Sequence, residues 1–417
     1  LIKGFQKMLL TLVLLFLSII TLVLLSNGIT ETTTYQVGGW EPVNGVPIAI
    51  YLVFDGLSAL LLLITSLIGF LAAFYSISYM KRYTAENNFY ALLALMITGM
   101  NGVILTGDMF NMYVFLEIAV IASYALVAFG VEKNELEASF KYQVLGGVAS
   151  LLILFAIGLL YWQTHTLNIA DISAQLPDTN NNFFLLFTQI LLISGFGLKA
   201  AMIPFHAWLP DAHSSAPSPI SAMLSGVLIK AIGIYAILRL FFNMFTITYE
   251  ISMLITVIGT LSMVIGGFLA IAQWDMKRMF AYSSISQMGY VTIGIGMGMI
   301  LIATGGNTSI ASLAIAGGLF HLINHATFKS LLFLNAGAIE YRTGTRNMKM
   351  MGGLAGKMPI TSTTSLGASL SISGIPPFNG FFSKLIIIIA AIKGGFMLIA
   401  VLAVIFSIVT IVYVLRF

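Results

Sequence analysis

Glu117 stands in the apolar run Gly107-Asp108-Met109-Phe110-Asn111-Met112-Tyr113-Val114-Phe115-Leu116-Glu117. Three lysines sit in similar surroundings: Lys199 in Gly195-Phe196-Gly197-Leu198-Lys199-Ala200-Ala201, Lys230 in Leu224-Ser225-Gly226-Val227-Leu228-Ile229-Lys230, and Lys384 in Phe381-Phe382-Ser383-Lys384-Leu385-Ile386. An ionised side chain in hydrocarbon costs about 3 kcal/mol or more, so each needs a partner or a purpose. One carboxylate and three amines on separate apolar stretches suit a proton path. A desolvated lysine holds its proton weakly, and a nearby carboxylate strengthens that hold. Opening and closing such a pair switches the lysine between releasing and keeping a proton. The rival reading is a static ion pair that locks helices together.

His321, His325 and Lys329 recur at every fourth position, with Asn324 and Thr327 beside them. On a helix they share one face. Histidine is the natural relay near neutral pH. Ligation of a metal or haem is the rival for the two histidines, but no carboxylate or cysteine joins them; packed, hydrogen-bonded histidines are the plain alternative. Neither a metal, a cofactor nor a catalytic residue is therefore assigned. His206, Asp211 and His213 crowd a proline-rich stretch, as a proton inlet or as helix caps. Lys141 reads as interfacial and snorkelling, with a functional role as the even alternative. Asp55 and Asp108 stand where helices begin, which the helix dipole favours. Glu340 and the basic residues after it read as a solvated connection.

These groups need apolar helices to hold them. Of the 417 residues, 59% are hydrophobic and 8% charged, and the mean hydropathy is +1.00. A soluble domain would carry roughly a quarter charged residues. With no cysteine, disulfides and thiolate metal sites are excluded, and a net charge of +4 gives no reason to expect a nucleic-acid partner. No cleavable signal peptide is evident, and the start at Leu1 implies that the natural N-terminus lies upstream. A bilayer core calls for about 20 apolar residues per helix. That ruler places spans near 8–26, 52–79, 87–107, 110–130, 137–162, 183–204, 217–243, 250–273, 276–303, 309–339, 359–394 and 396–416. The polar stretches 27–47 and 163–182 read as short external loops. The latter carries Asp171 and Asp178 but no Lys or Arg.

Lys3, Lys7, Lys81, Arg82, Lys277, Arg278, Arg342, Arg346, Lys349 and Lys357 fall mostly in connections of one side, the cytoplasmic one by the positive-inside rule; Arg239 fits less well. Two spans are interrupted. The sixth runs into Pro204, Pro210, Pro217 and Pro219, and the eleventh carries Gly374-Ile375-Pro376-Pro377. Proline breaks a helix, and within lipid the freed carbonyls must face protein or water. Broken helices in corresponding halves, each with a nearby lysine, are the pattern of an inverted-repeat transporter. The expected fold is therefore an all-α polytopic membrane bundle forming one domain over 1–417. It has two inverted repeats, halves 87–243 and 250–417, and two broken helices.

The stretch Pro204-Phe205-His206-Ala207-Trp208-Leu209-Pro210-Asp211-Ala212-His213, with Ala216-Pro217-Ser218-Pro219-Ile220-Ser221-Ala222, resembles the signature of the antiporter-like subunits. These occur in respiratory complex I, Mrp-type cation/proton antiporters and membrane-bound hydrogenases. Asp275-Met276-Lys277-Arg278 with Ala281-Tyr282-Ser283-Ser284, His321 to Lys329, and Gly374 to Lys384 match further blocks, so the resemblance covers nearly the whole chain. The Gly107-to-Glu117 run is most similar to the D-type subunit of the Mrp antiporters and its hydrogenase counterpart. The family's fourteen helices against twelve here imply one helix before residue 1 and one after residue 417.

The resemblance implies roles for individual residues. Glu117 would be the essential glutamate, Lys199 the lysine of the first broken helix, and Lys230 that of the next helix. Lys384 would be the terminal group of the second broken helix, and His325 a central relay. The site set is Glu117, Lys199, Lys230, His325, Lys384, His321, Lys329 and His206. The resemblance implies protons, or protons exchanged for Na⁺, taken up near Lys230 and His206, passed along Lys199 and His325, and released through Lys384. The partners would be other membrane subunits and the bilayer, in a prokaryotic plasma membrane. Redox cofactors would reside in those partners. The alternatives are a complex I subunit, a self-sufficient metabolite transporter, or a structural anchor for a redox enzyme.

Overall fold

The computed structural model describes residues 4–29, 31–42, 47–176 and 182–417. Lys3 and Asp178 lie outside them. In chain order the helices are α1 (Phe5–Ser26), α2 (Gly56–Tyr79), α3 (Glu86–Leu105), α4 (Met109–Val127), α5 (Lys133–Thr164), α6 (Ile169–Gln175), α7 (Asn182–Lys199) and α8 (Trp208–Ser215). They continue as α9 (Ser218–Met223), α10 (Tyr235–Asn243), α11 (Tyr249–Ile271), α12 (Met276–Ala303), α13 (Thr308–Thr343), α14 (Pro359–Ser373), α15 (Asn379–Lys393) and α16 (Met397–Val414). Two π-helical segments, Leu224–Leu228 and Lys230–Ile234, join α9 to α10, so that one helix runs over Ser218–Asn243. Among the described residues ten helices are long and apolar enough to cross a bilayer. The sixth and eleventh expected spans are the broken pairs α7/α8 and α14/α15, which completes the twelve.

Two loops hold more structure than their composition suggests. Thr33–Gln36 (β1) pairs antiparallel with Tyr51–Phe54 (β2), so the second span begins at Gly56 rather than 52. The stretch 163–182 contains α6, capped by Asn168. Asp55 caps α2 in a reciprocal arrangement with Ser58. Asp108 and Asp275 cap α4 and α12 by accepting from the N–H groups of Asn111 and Arg278.

The chain forms two compact units, Leu1–Ala200 with Val227–Thr246, and Ala201–Gly226 with Ile247–Phe417. In the first, a Cβ at Gly99 would fall 2.5 Å from the backbone nitrogen of Ala119, so α3 and α4 touch backbone to backbone. Helices in lipid associate largely through such small residues, because lipid tails are as apolar as leucine. In the second unit the core gathers Met276, Met279, Phe280, Phe328, Leu332 and Phe333 from α12 and α13.

The starts of α4 and α12, each capped by an aspartate, are also tied to a loop. Asp108 bridges Asn168, with Met109 N–H donating to the Leu167 carbonyl and Ile169 N–H to that of Gly107, both at 2.9 Å. In the second unit Asp275 bridges Asn347. There Met276 N–H donates to the Arg346 carbonyl at 3.1 Å and Met348 N–H to that of Trp274 at 3.0 Å.

Candidate ion-translocation site

α7 stops at Lys199 because Ala201 adopts a left-handed backbone and Pro204 follows. The lysine is 1% exposed, and its Nζ lies 3.7 Å from Glu117 Oε1 on α4. Between them stands Ser150 of α5. Lys199 Nζ donates to Ser150 Oγ at 2.9 Å, and Ser150 Oγ donates in a short hydrogen bond to Glu117 Oε1. Glu117 and Lys199 thus form a pair with a hydroxyl inserted. A neutral serine among small residues carries no signal by which sequence could single it out.

The second break is built around Lys384. α14 ends where Gly374 turns left-handed at φ 78°, which frees carbonyls that an unbroken helix would use. Lys384 Nζ takes one of them, donating to the Ile372 carbonyl at 2.9 Å. Its Cδ passes 3.1 Å from where a Cβ on Gly374 would sit, so only glycine suits both the turn and the lysine's path. The ammonium also lies 4.7 Å from the centre of the Tyr290 ring.

His321 belongs to the same cluster. Its Nδ1 is 2.9 Å from Ser383 Oγ and its Nε2 3.0 Å from Gln287 Oε1. Its ring centroid lies 5.6 Å from that of Tyr290, whose hydroxyl donates to the Ala403 carbonyl at 2.7 Å. Tyr290 therefore touches both His321 and Lys384. Like Gln287, it is inconspicuous in the sequence because neutral polar residues are common in membrane helices.

The remaining candidates are placed individually. His325 and Lys329 are fully buried on α13, the histidine ring 5.5 Å from Phe328 and the Lys329 ammonium 5.4 Å from Phe280. Lys230 is buried at the first residue of the second π segment. His206, partly exposed between α7 and α8, sits 3.4 Å from the Pro204 carbonyl. Of its neighbours, Asp211 pairs with Arg278 at 2.6 Å, and His213 is buried against Phe333. Lys141 is half exposed and pairs with Glu137 one turn away, as an interfacial lysine should.

Two charges read differently from the structure. Arg239, awkward for the charge rule, is gripped by both oxygens of Asp55 at 2.6 and 2.9 Å. Burial pushes the Asp55 carboxyl up, but the hydrogen bonds from Arg239 and Ser58 outweigh it and hold the group at about 2. Asp108 is held above its ordinary value by burial, against the pull of the Asn111 and Phe110 N–H groups. Glu340 is a correction to the sequence reading. It is not part of a solvated connection but lies within α13, its Oε2 3.3 Å from Nζ of Lys277, which is 2% exposed. Asp-Met-Lys-Arg at a helix start looks interfacial in sequence, and only packing shows that Lys277 turns inward.

The sequence profile described as "NADH:quinone oxidoreductase/Mrp antiporter, TM" matches residues 106–410. A second, "NADH-Ubiquinone oxidoreductase (complex I), chain 5 N-terminus", matches residues 40–90. The chain is 35% identical over 391 residues to the N subunit of the NADH-quinone oxidoreductase of Desulforudis audaxviator, covering 93% of this chain and 74% of that one. It is 34% identical over 381 residues to the D subunit of the Na(+)/H(+) antiporter of Alkalihalophilus pseudofirmus, covering 90% and 73%. Against the A subunit of the same organism's antiporter it is 38% identical over 367 residues, spanning 86% of this chain and 44% of the relative. Among solved structures, the Mrp complex from a Dietzia species matches with a TM-score of 0.88 at 30% identity, covering 99% of this chain and 74% of that one. The archaeal membrane-bound sulfane sulfur reductase matches with a TM-score of 0.88 at 31% identity, covering 98% and 81%. These relatives are subunits of multi-subunit membrane complexes. The buried lysines at two helix breaks thus sit in a known frame, and the chain belongs to the antiporter-like transmembrane subunits of the NADH:quinone oxidoreductase/Mrp antiporter family.

Proposed function

We propose that this multi-pass subunit translocates protons, alone or in exchange for Na⁺, within a complex of other membrane subunits embedded in lipid. The observation that carries the reading is the Glu117–Ser150–Lys199 triad at the end of a broken helix. A lysine 1% exposed, with a carboxylate reached through a rotatable hydroxyl, can exchange a proton when the pair opens. Lys384 repeats the theme at the second break with a backbone carbonyl as partner. Lys230, His206, His325, His321 and Lys329 are proposed as the remaining proton-handling groups. Uptake occurs near Lys230 and His206, and release through Lys384. The functional halves are proposed as 87–243 and 250–417.

Redox cofactors are assigned to partner subunits. The identities of 35% to a complex I subunit and 34% to an Mrp-type D subunit are level, and the Gly107-to-Glu117 run favours the Mrp and hydrogenase side. The test is proton and Na⁺ movement in vesicles holding the assembled complex, with Glu117→Gln and Lys199→Ala compared with wild type. Both variants should assemble and lose transport. Full transport in either overturns the reading. The subunits that co-purify identify the parent complex.

A further inference from the structure

Lys277 lies outside the proton-handling groups assigned above, yet it is buried, charged and connected. Its Nζ donates to the Ala216 carbonyl at 2.9 Å, just past α8, and lies 3.3 Å from Glu340 Oε2. Glu340 reaches outward, with 22% of its side chain exposed, and its Oε1 is 3.7 Å from Arg346 Nε. Arg346 Nε is itself 3.3 Å from Asp275 Oδ2, and Arg278 pairs with Asp211 nearby on α8. The group thus runs from the surface at Arg346 and Asp275, through Glu340, to a buried amine.

Inward from that amine the chain presents aromatic rings. One turn on from Lys277 is Phe280, and two turns back from Glu340 is Phe333. Their rings meet edge to face at 5.7 Å. His213 packs against Phe333 at 5.2 Å. Beyond the pair lies Lys329, its ammonium 5.4 Å from the Phe280 ring. His321, His325, Lys329, Phe333 and Glu340 follow one another at helical spacing on α13. Lys329 and Glu340 are eleven residues apart, about 16 Å along the axis at 1.5 Å per residue.

We propose that Lys277 and Glu340 form the surface-side proton-loading pair of this unit, and that Phe280 and Phe333 are the dry gate between the pair and Lys329. When water threads the aromatic contact, the Lys277 ammonium gives its proton to the neutral amine of Lys329. Glu340, protonated from bulk water, then passes that proton to the emptied Lys277 amine and returns to a carboxylate. The basic connections place this end at the cytoplasm. The inference rests on the translocation reading.

A static lock would bury the same pair, so the deciding variant is Lys277→Arg in the assembled complex, in vesicles. Arginine keeps the charge and the pairing but never gives up its proton. Lys277→Arg and Glu340→Gln should each lower transport by roughly tenfold or more, as expected for a lost proton-transfer group, with subunit content unchanged. Phe333→Ala, with the pair intact, should raise passive proton leak across the vesicle membrane severalfold. Wild-type transport in Lys277→Arg, or wild-type tightness in Phe333→Ala, overturns the proposal. If Lys277→Arg transports normally while Glu117→Gln does not, this inference alone falls. If Glu117→Gln also transports normally, the translocation reading falls with it.

Discussion

Glu117 and Lys199 communicate through Ser150: the ammonium donates to the serine hydroxyl at 2.9 Å, the hydroxyl donates to the carboxylate, and the charges themselves stand 3.7 Å apart. A hydroxyl that accepts from the ammonium and donates to the carboxylate can hand a proton across the 3.7 Å gap, which is too long for direct transfer. Ser150→Ala should therefore slow transport in assembled vesicles by about tenfold, the equivalent of one charge-assisted hydrogen bond, without loss of assembly. Glu117→Gln combined with Lys199→Ala should be no worse than either alone, since the residues act as one unit. An additive loss in the double variant would show that they act separately.

Arg239 and Asp55 bind the middle of α10 to the start of α2 through two hydrogen bonds. The folded carboxyl titrates at about 2, below its ordinary value of 3.8. A depressed acid stabilises the folded state above its unfolded pKa and loses that stability as pH falls through the folded one. The contribution should be full above about pH 4 and gone below about pH 2, worth about 2 kcal/mol. Thermal melting of the purified complex against pH measures it. Asp55→Asn should lower the melting temperature at neutral pH and flatten the acid limb.

Gly374→Ala would force a Cβ into a left-handed turn, costing roughly 1–2 kcal/mol, and press it against Lys384. Stability should fall by that amount, while transport should fall further because the lysine is displaced from the Ile372 carbonyl. A variant as active as wild type would show that the position of Lys384 at this turn is immaterial.

His321 engages Ser383 and Gln287 with its two ring nitrogens. His321→Leu takes the imidazole from Gln287 Oε1 in a buried setting, while Ser383 keeps its bond to the Gly380 carbonyl, and should destabilise the complex by about 1–3 kcal/mol. Adding Gln287→Leu should recover part of that loss, because the stranded group is removed. Denaturation midpoints of the two variants provide the comparison.

Much of this is legible in the sequence because charge is conspicuous against an apolar background. Lys199, Lys230 and Lys384 can be picked out one by one, and two proline clusters mark the broken helices. What escapes is whatever depends on partners distant in sequence. Ser150 and Tyr290 are neutral, so nothing local distinguishes them from the many packing residues around them. Glu340 is misleading because the basic residues around it imitate a surface loop, whereas its partner Lys277 lies 63 positions earlier. The π segments around Lys230 leave no mark in composition. Strand Thr33–Gln36 is hidden for the same reason as Glu340: its identity lies in pairing with Tyr51–Phe54.

The loops that clasp the starts of α4 and α12 reduce to a short shared pattern. Gly107-Asp108-Met109 with Leu167-Asn168-Ile169, and Trp274-Asp275-Met276 with Arg346-Asn347-Met348, share only the aspartate, the methionine and the asparagine, yet form the same reciprocal bridge. The loop around Asn168 has neither Lys nor Arg between 163 and 182, whereas Arg342, Arg346, Lys349 and Lys357 surround Asn347. The clasp thus forms beside an uncharged loop and beside a strongly basic one. What the two places have in common is Asp-Met at the helix start and an asparagine in the loop, a short pattern by which the same clasp can be sought in other sequences.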